Sequence, residues 1–121
     1  GSIAVDDGGM IDLKLQGAAI FVDVARIYSL GRGVTSTNTR ERLDAVGLLL
    51  GLAPSEYQAW VSGFEFLQTL RLRVQLEGAA SPQQPNHLKV ARLNDIDRRI
   101  LRESFRVARS LQQRLQLDYE R

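Results

Sequence analysis

The segment from Gly17 to about Leu30 limits the fold more than any other part of the chain. Ile20, Val24, Ile27 and Tyr28 recur at helical spacing, and Ala18, Ala19, Phe21, Val22 and Ala25 fill its other faces. A helix apolar on nearly every side is expected to be central and surrounded by other elements. Asp23 and Arg26 are its only charged residues, three apart, so they can pair on one side of it. Either could instead reach Arg71 or Glu41. Gly31-Arg32-Gly33 supplies the stop, with glycine in the C-terminal turn.

Three further amphipathic segments can surround that helix. The second opens at Thr37 to Thr39, where a Thr39 cap followed by Arg42 falls short of a full capping box but Ser36, Thr37 and Asn38 are all good cap residues, and carries Leu43, Val46 and Leu50 before Gly51 and Pro54. The third runs from about Ser55 to Glu77, with Tyr57, Trp60, Phe64, Leu67 and Val74 on one face. The fourth follows a cap at Asn94 and continues to about Tyr119, with Ile100, Leu101, Phe105, Ala108, Leu111 and Leu115 turned inward. Between them, Gly78 through Pro85 reads as a loop rich in Gly, Ala, Ser, Pro and Gln. Residues 10–16 read as an extended piece or a first turn, and no segment reads as a convincing strand. The expected fold is all-α, an antiparallel bundle of four helices, or four to five.

With 121 residues the chain suits one domain. Gly1-Ser2 reads as a cleavage scar and residues 1–9 as a disordered or linker start, so 10–121 is expected to be a single helical domain, the C-terminal fragment of a longer protein. The absence of cysteine excludes a disulfide framework and a thiolate site and fits a cytoplasmic protein. No apolar run reaches the roughly 18 residues of a membrane span. The net charge of +2 argues against a nucleic-acid binder. Arg98, Arg102, Arg106 and Arg109 do form a stripe on the fourth helix, but Asp95, Asp97 and Glu103 lie among them and no aromatic platform for bases is interleaved. A solvated face, or a surface docking onto an acidic neighbour domain, is the better reading.

Enzyme signatures are missing. His87 is the only histidine, in a loop where it would be solvated, and it has no second histidine or cysteine with which to hold a metal. Paired aspartates occur at residues 6–7 and 95–97; Asp95-Ile96-Asp97 has the spacing of a nucleotidyl-transfer metal site but sits at a helix start, where aspartate favours the dipole. No nucleophile–base pair and no phosphate loop is present.

The polar residues that fit least well are more informative. Arg71 falls in the middle of the stripe of Trp60, Phe64, Leu67 and Val74. A buried arginine without a partner is costly, so it must pair with a carboxylate, snorkel to an edge or line a cleft. Thr37, Asn38 and Thr39 are first a helix cap. They also place free N–H groups where an anion could bind, with Arg40 and Arg42 close by.

Taken in order, Ile11-Asp12-Leu13-Lys14, Asp23-Val24-Ala25-Arg26 with Tyr28-Ser29-Leu30, Thr37-Asn38-Thr39 with Glu41-Arg42-Leu43, and Phe64-Glu65-Phe66-Leu67 with Leu70-Arg71-Leu72-Arg73 and Gln75-Leu76 resemble the nucleotidyltransferase substrate-binding domain family. Leu93, Asp97-Arg98, Leu101, Ser104-Phe105-Arg106-Val107 and Leu111-Gln112 extend the likeness to about Leu115. The resemblance implies a helical bundle at the C-terminus of a bacterial multidomain protein. It would follow a nucleotidyltransferase domain similar to that of the uridylyltransferases of nitrogen signalling, often with cyclic-nucleotide-binding and cystathionine-β-synthase-type domains further upstream.

On that likeness the expected function is an accessory substrate-binding or closing domain of a signal-transduction nucleotidyltransferase, with no catalytic residue and no metal of its own. Mg2+ and a nucleoside triphosphate would belong to the parent's catalytic domain, and the partner is that upstream domain. The residues expected to contact substrate or nucleotide phosphate are Lys14, Arg26, Thr37, Asn38, Thr39, Arg42, Arg71 and Arg73. The alternative is a structural or regulatory module that forms a homodimer and binds no small molecule.

Overall fold

The computed structural model describes residues 3–6, 8–78 and 81–120. The scar expected at Gly1-Ser2 and the aspartate pair at 6–7 fall wholly or partly outside them. The order is β1 (Met10–Asp12), a π-helical turn (Lys14–Ala18), α1 (Ala19–Arg32), α2 (Thr39–Leu49), α3 (Pro54–Leu76), β2 (His87–Lys89), a 3-10 turn (Val90–Arg92) and α4 (Asp95–Tyr119). The four helices stand where the periodicity puts them.

The strands correct the all-α expectation. β1 and β2 pair antiparallel with Met10 opposite Lys89, Ile11 opposite Leu88 and Asp12 opposite His87. Ile11 and Leu88 are buried while their neighbours are not, the alternation of a strand with one covered face. Three residues are too few to show a period of two in the sequence. His87 accordingly lies on a strand, half-buried, with Nε2 3.8 Å from Asp12 Oδ2, and is not a solvated loop residue.

Asp12 then starts the helical part. Its Oδ1 accepts from the Lys14 and Leu15 N–H groups at 2.9 Å, and Gln16 Oε1 accepts from the Asp12 N–H at 2.8 Å. This is the reciprocal exchange of a capping box. The widened turn, closed by Ala18 N–H to Leu13 C=O, brings Gly17 against α3 and α4. A Cβ on Gly17 would lie 2.5 Å from Leu67 Cδ1 and 2.9 Å from Phe105 Cε1.

α1 buries Phe21, Val24, Ala25, Tyr28 and Ser29. It is not enclosed all round: Val22, Ile27 and Leu30 are 37%, 40% and 74% exposed. Apolar residues on every face carry no contrast, so spacing could not tell which side was covered. Gly33, at φ 73°, ends the helix in the left-handed conformation.

α1 packs on α2 and α4, and α3 packs on the same two helices, so the core lies among all four. Phe21 meets Phe64 edge-on at 6.1 Å. Directions follow from the tie points. Arg73 at the end of α3 bonds Asp97 at the start of α4, and Arg114 late in α4 bonds Glu56 at the start of α3, so these two run antiparallel. α1 and α4 do not. Gly17 just before α1 faces Phe105, and Tyr28 near the end of α1 bonds Asp118 near the end of α4, so this pair runs in the same direction. Of the residues expected inward on α4, Leu101, Phe105, Ala108 and Leu111 are buried, whereas Ile100 is 40% exposed.

Candidate functional site

The N-terminus of α2 lies against the middle of α3. Asn38 is its cap: the backbone there is extended, and Oδ1 accepts from the Glu41 N–H at 3.1 Å. The Glu41 carboxylate in turn accepts from Ser36 Oγ at 2.6 Å. Arg42 folds back on the same loop, Nε donating to the Ser36 carbonyl at 2.7 Å. One helix-end N–H is thereby satisfied, while Thr39 and Arg40 keep N–H groups with no bonded partner among the described residues.

Thr37, Asn38, Thr39 and Arg40 form one wall of an open groove whose other wall is Phe64, Glu65, Gln68 and Thr69 of α3. Arg40 spans it to Glu65 at 3.0 Å, with both side chains largely exposed. Gln68 leads on to Arg71. Arg71 Nη1 donates to Gln68 Oε1 at 2.7 Å, and Nε donates to Asn86 Oδ1 at 2.9 Å. The Asn86 carbonyl accepts from the Leu13 N–H at 2.9 Å, which connects this edge to the residue before Lys14.

Arg71 is half-buried and reaches the edge of α3, the snorkelling arrangement; the buried stripe beside it is Leu67, Leu70 and Val74. Its partners are two neutral amides. No carboxylate lies within 4.0 Å of it among the described residues. The guanidinium is thus oriented without being neutralised, a favourable state for receiving an anion.

The expected site residues do not all come together. Thr37, Asn38 and Thr39 share the groove, with Arg71 one step beyond through Gln68. Arg42 is engaged with its own loop. Arg26 pairs with Asp23 at 3.7 Å on the exposed side of α1. Arg73 lies two residues from Arg71, about 200° round the helix, and bonds Asp97 at 2.7 Å. Lys14 is exposed on the π-helical turn. Gln68, Thr69 and Asn86 went unnoticed in the sequence. Gln68 stands three residues before Arg71 on one helix, a spacing that could have revealed it. Asn86 lies in a stretch without periodicity and offered no signal.

On α4, Arg98 pairs with Asp95 at 3.3 Å and Arg106 with Glu103, whose carboxyl the arginine's hydrogen bonds hold below the usual carboxylate range. Asn94 Oδ1 accepts from the Asp97 N–H at 2.7 Å, so the Asp95–Asp97 stretch serves the helix start. Among the described residues no group of three or more His, Asp or Glu is placed to hold a metal ion, and no helix is long and apolar enough to cross a membrane.

The profile of the family described as "Putative nucleotidyltransferase substrate binding domain" matches residues 1–119. The chain belongs to this family. Comparison with curated proteins and with solved structures finds no match. The family's description assigns the substrate-binding domain a binding role alongside a nucleotidyltransferase, not the catalytic one. Within this member of the substrate-binding family, the groove at α2 joins a helix cap to an opening, and the oriented Arg71 lies one step beyond it through Gln68.

Proposed function

We propose that the chain is the accessory, substrate-binding part of a bacterial signal-transduction nucleotidyltransferase of the uridylyltransferase kind, working in the cytoplasm and lacking catalytic residues of its own. Its four helices act as one bundle that closes over the catalytic domain. The groove between the N-terminus of α2 and α3 receives a phosphate of the nucleotide, or an acidic group of the acceptor. The Thr39 and Arg40 N–H groups and the Thr37 hydroxyl donate to the oxygens, and Arg71 balances the charge. Mg2+ and the nucleoside triphosphate are held by the separate transferase domain, which carries the metal-binding carboxylates.

The observation that carries this reading is the state of Arg71, positioned by Gln68 and Asn86 and left without a carboxylate. Joining the chain to its nucleotidyltransferase domain and measuring transfer tests it. Arg71→Ala is expected to raise KM for one substrate by about tenfold or more, and Asn38→Ala by less. Unchanged transfer by folded Arg71→Ala would refute the site assignment.

A second reading, a dimerising regulatory module, draws on the exposed Leu30, Leu48 and Leu49, at 74%, 70% and 54%. Light scattering across concentration, together with a nucleotide thermal-shift series, separates the two. Dimerisation without any shift favours the second.

A further inference from the structure

A groove elsewhere on the molecule takes no part in that reading. It runs along the outer junction of α3 and α4, where two hollows of about 360 and 260 Å³ meet at Ala59 and Val107. Ala59, Gly63, Ile100 and Val107 line the larger one, and the surface it opens to solvent is mainly apolar. Ile100 is 40% exposed, and Ile96, one turn earlier on α4, is 68% exposed and continues the apolar strip.

The two edges of this strip differ. On α4, Arg99 and Arg106 border the groove, and Arg102 and Arg109 stand beside them. Spacings of three, four and three residues hold these arginines within about 80° of the helix surface and along about 15 Å of its length. Glu103, the carboxylate among them, is taken by Arg106. Among the described residues, Arg99, Arg102 and Arg109 have no carboxylate within 4.0 Å. On α3, Ser55, Gln58 and Ser62 form the other edge, exposed and uncharged, and Glu56 at its end is engaged by Arg114.

A second copy presenting this face could set against the arginines only arginines or these uncharged side chains. A nucleic acid would neutralise the arginines but leave the apolar strip bare, and Trp60, the aromatic residue lining the groove, is buried. An α-helix with an apolar stripe and carboxylates along one edge of it satisfies both features. We propose that the α3–α4 groove docks an acidic amphipathic helix of a partner protein. Its apolar side chains lie on Ala59, Gly63, Ile96 and Ile100, and its carboxylates meet Arg99, Arg102 and Arg109. The partner is distinct from the transferase domain. Ala59 and Gln68, nine residues apart, lie on opposite sides of α3, so a transferase domain seated over the α2 groove, as proposed above, leaves this one open.

Affinity selection from a displayed library of helical peptides, with a fixed apolar stripe and randomised edges, tests the proposal on the isolated chain. Enriched peptides are expected to carry Asp or Glu along one edge and to bind saturably in fluorescence anisotropy. Replacing those residues by Asn or Gln, and the paired substitution Arg102→Glu with Arg109→Glu, should each weaken binding by about tenfold or more. Ile100→Asp should do the same through the apolar strip. Arg102 and Arg109 are exposed, so the fold should survive their replacement, as circular dichroism would verify, and that variant decides the test even if Ile100→Asp unfolds. Absence of any saturable peptide, enrichment without an acidic bias, or unchanged binding by the folded arginine variant overturns the proposal. Self-association of the chain that Ile100→Asp abolishes would assign the groove to a second copy and overturn it as well.

Discussion

Two regions on α3 differ in nearly every physical respect. Where the π-helical turn meets α3 and α4, Gly17, Leu67 and Phe105 fit so closely that there is no space for a methyl group. At the start of α2, Thr37–Arg40 face Phe64–Thr69 across an open groove, with polar groups left over on both walls. The first region is where burial holds the helices together. The second has hydrogen-bonding capacity beyond what the fold consumes. Stability and ligand contact are thus expected to separate by position on one helix.

The largest effect should come from the packed junction. Leu67→Ala is expected to cost about 2–5 kcal/mol in urea unfolding, because a fully buried side chain is removed from a rigid setting. Gly17→Ala should cost about 1–3 kcal/mol by overpacking. The double variant should lose less than the sum, since the missing leucine leaves room for the new methyl. Strict additivity would show that the two do not share a contact.

Asn38→Ala, at the groove, should cost about 1 kcal/mol through loss of the α2 cap. Tyr28→Phe should cost a similar amount at neutral pH and should also change the alkaline limb of stability. Burial, and then the hydrogen bond to Asp118, raise the Tyr28 pKa above its ordinary value. The folded state therefore keeps a proton that the unfolded chain releases above about pH 10. Its contribution is complete below that pH and declines above it. Thermal unfolding measured between about pH 9 and 11 should fall more steeply for the native chain than for Tyr28→Phe.

Smallest in stability is Arg71→Ala, at about 1 kcal/mol or less, since its hydrogen bonds go to neutral amides at a half-exposed edge. Its effect should instead appear in the KM for one substrate of the joined transferase. If Arg71→Ala unfolds as readily as Leu67→Ala, the contrast between the two regions fails.

Local chemistry was readable in the sequence, and remote partnership was not. Asn94 could be named as a cap because a cap acts within three residues; for α2 the run Ser36 to Thr39 offered several candidates, of which the structure selects Asn38, and both asparagines bond the N–H three residues on. The phase of α1 could not be read, because apolar residues surround it and only packing selects a face. The ladder was invisible because Ile11 and Leu88 make a strand pair only through each other. Arg71 stood out against its stripe, yet the Asn86 that positions it lies across an irregular connection. Arg71 and Arg73 look like one basic motif in the sequence, and the helix sends them to different sides and different partners. Lys14 and Arg26 likewise belong to the family pattern in sequence, while the structure seats them on separate elements.

The pairing of Ile11 with Leu88 has a kinetic meaning as well. The two strands enclose α1, α2 and α3 between them along the chain, so the ladder closes a long loop for only a few hydrogen bonds. Contacts of that sequence separation form late, once the intervening helices have brought their ends together. The smallest element of the fold is therefore the one whose formation reports that the helices before it have already docked.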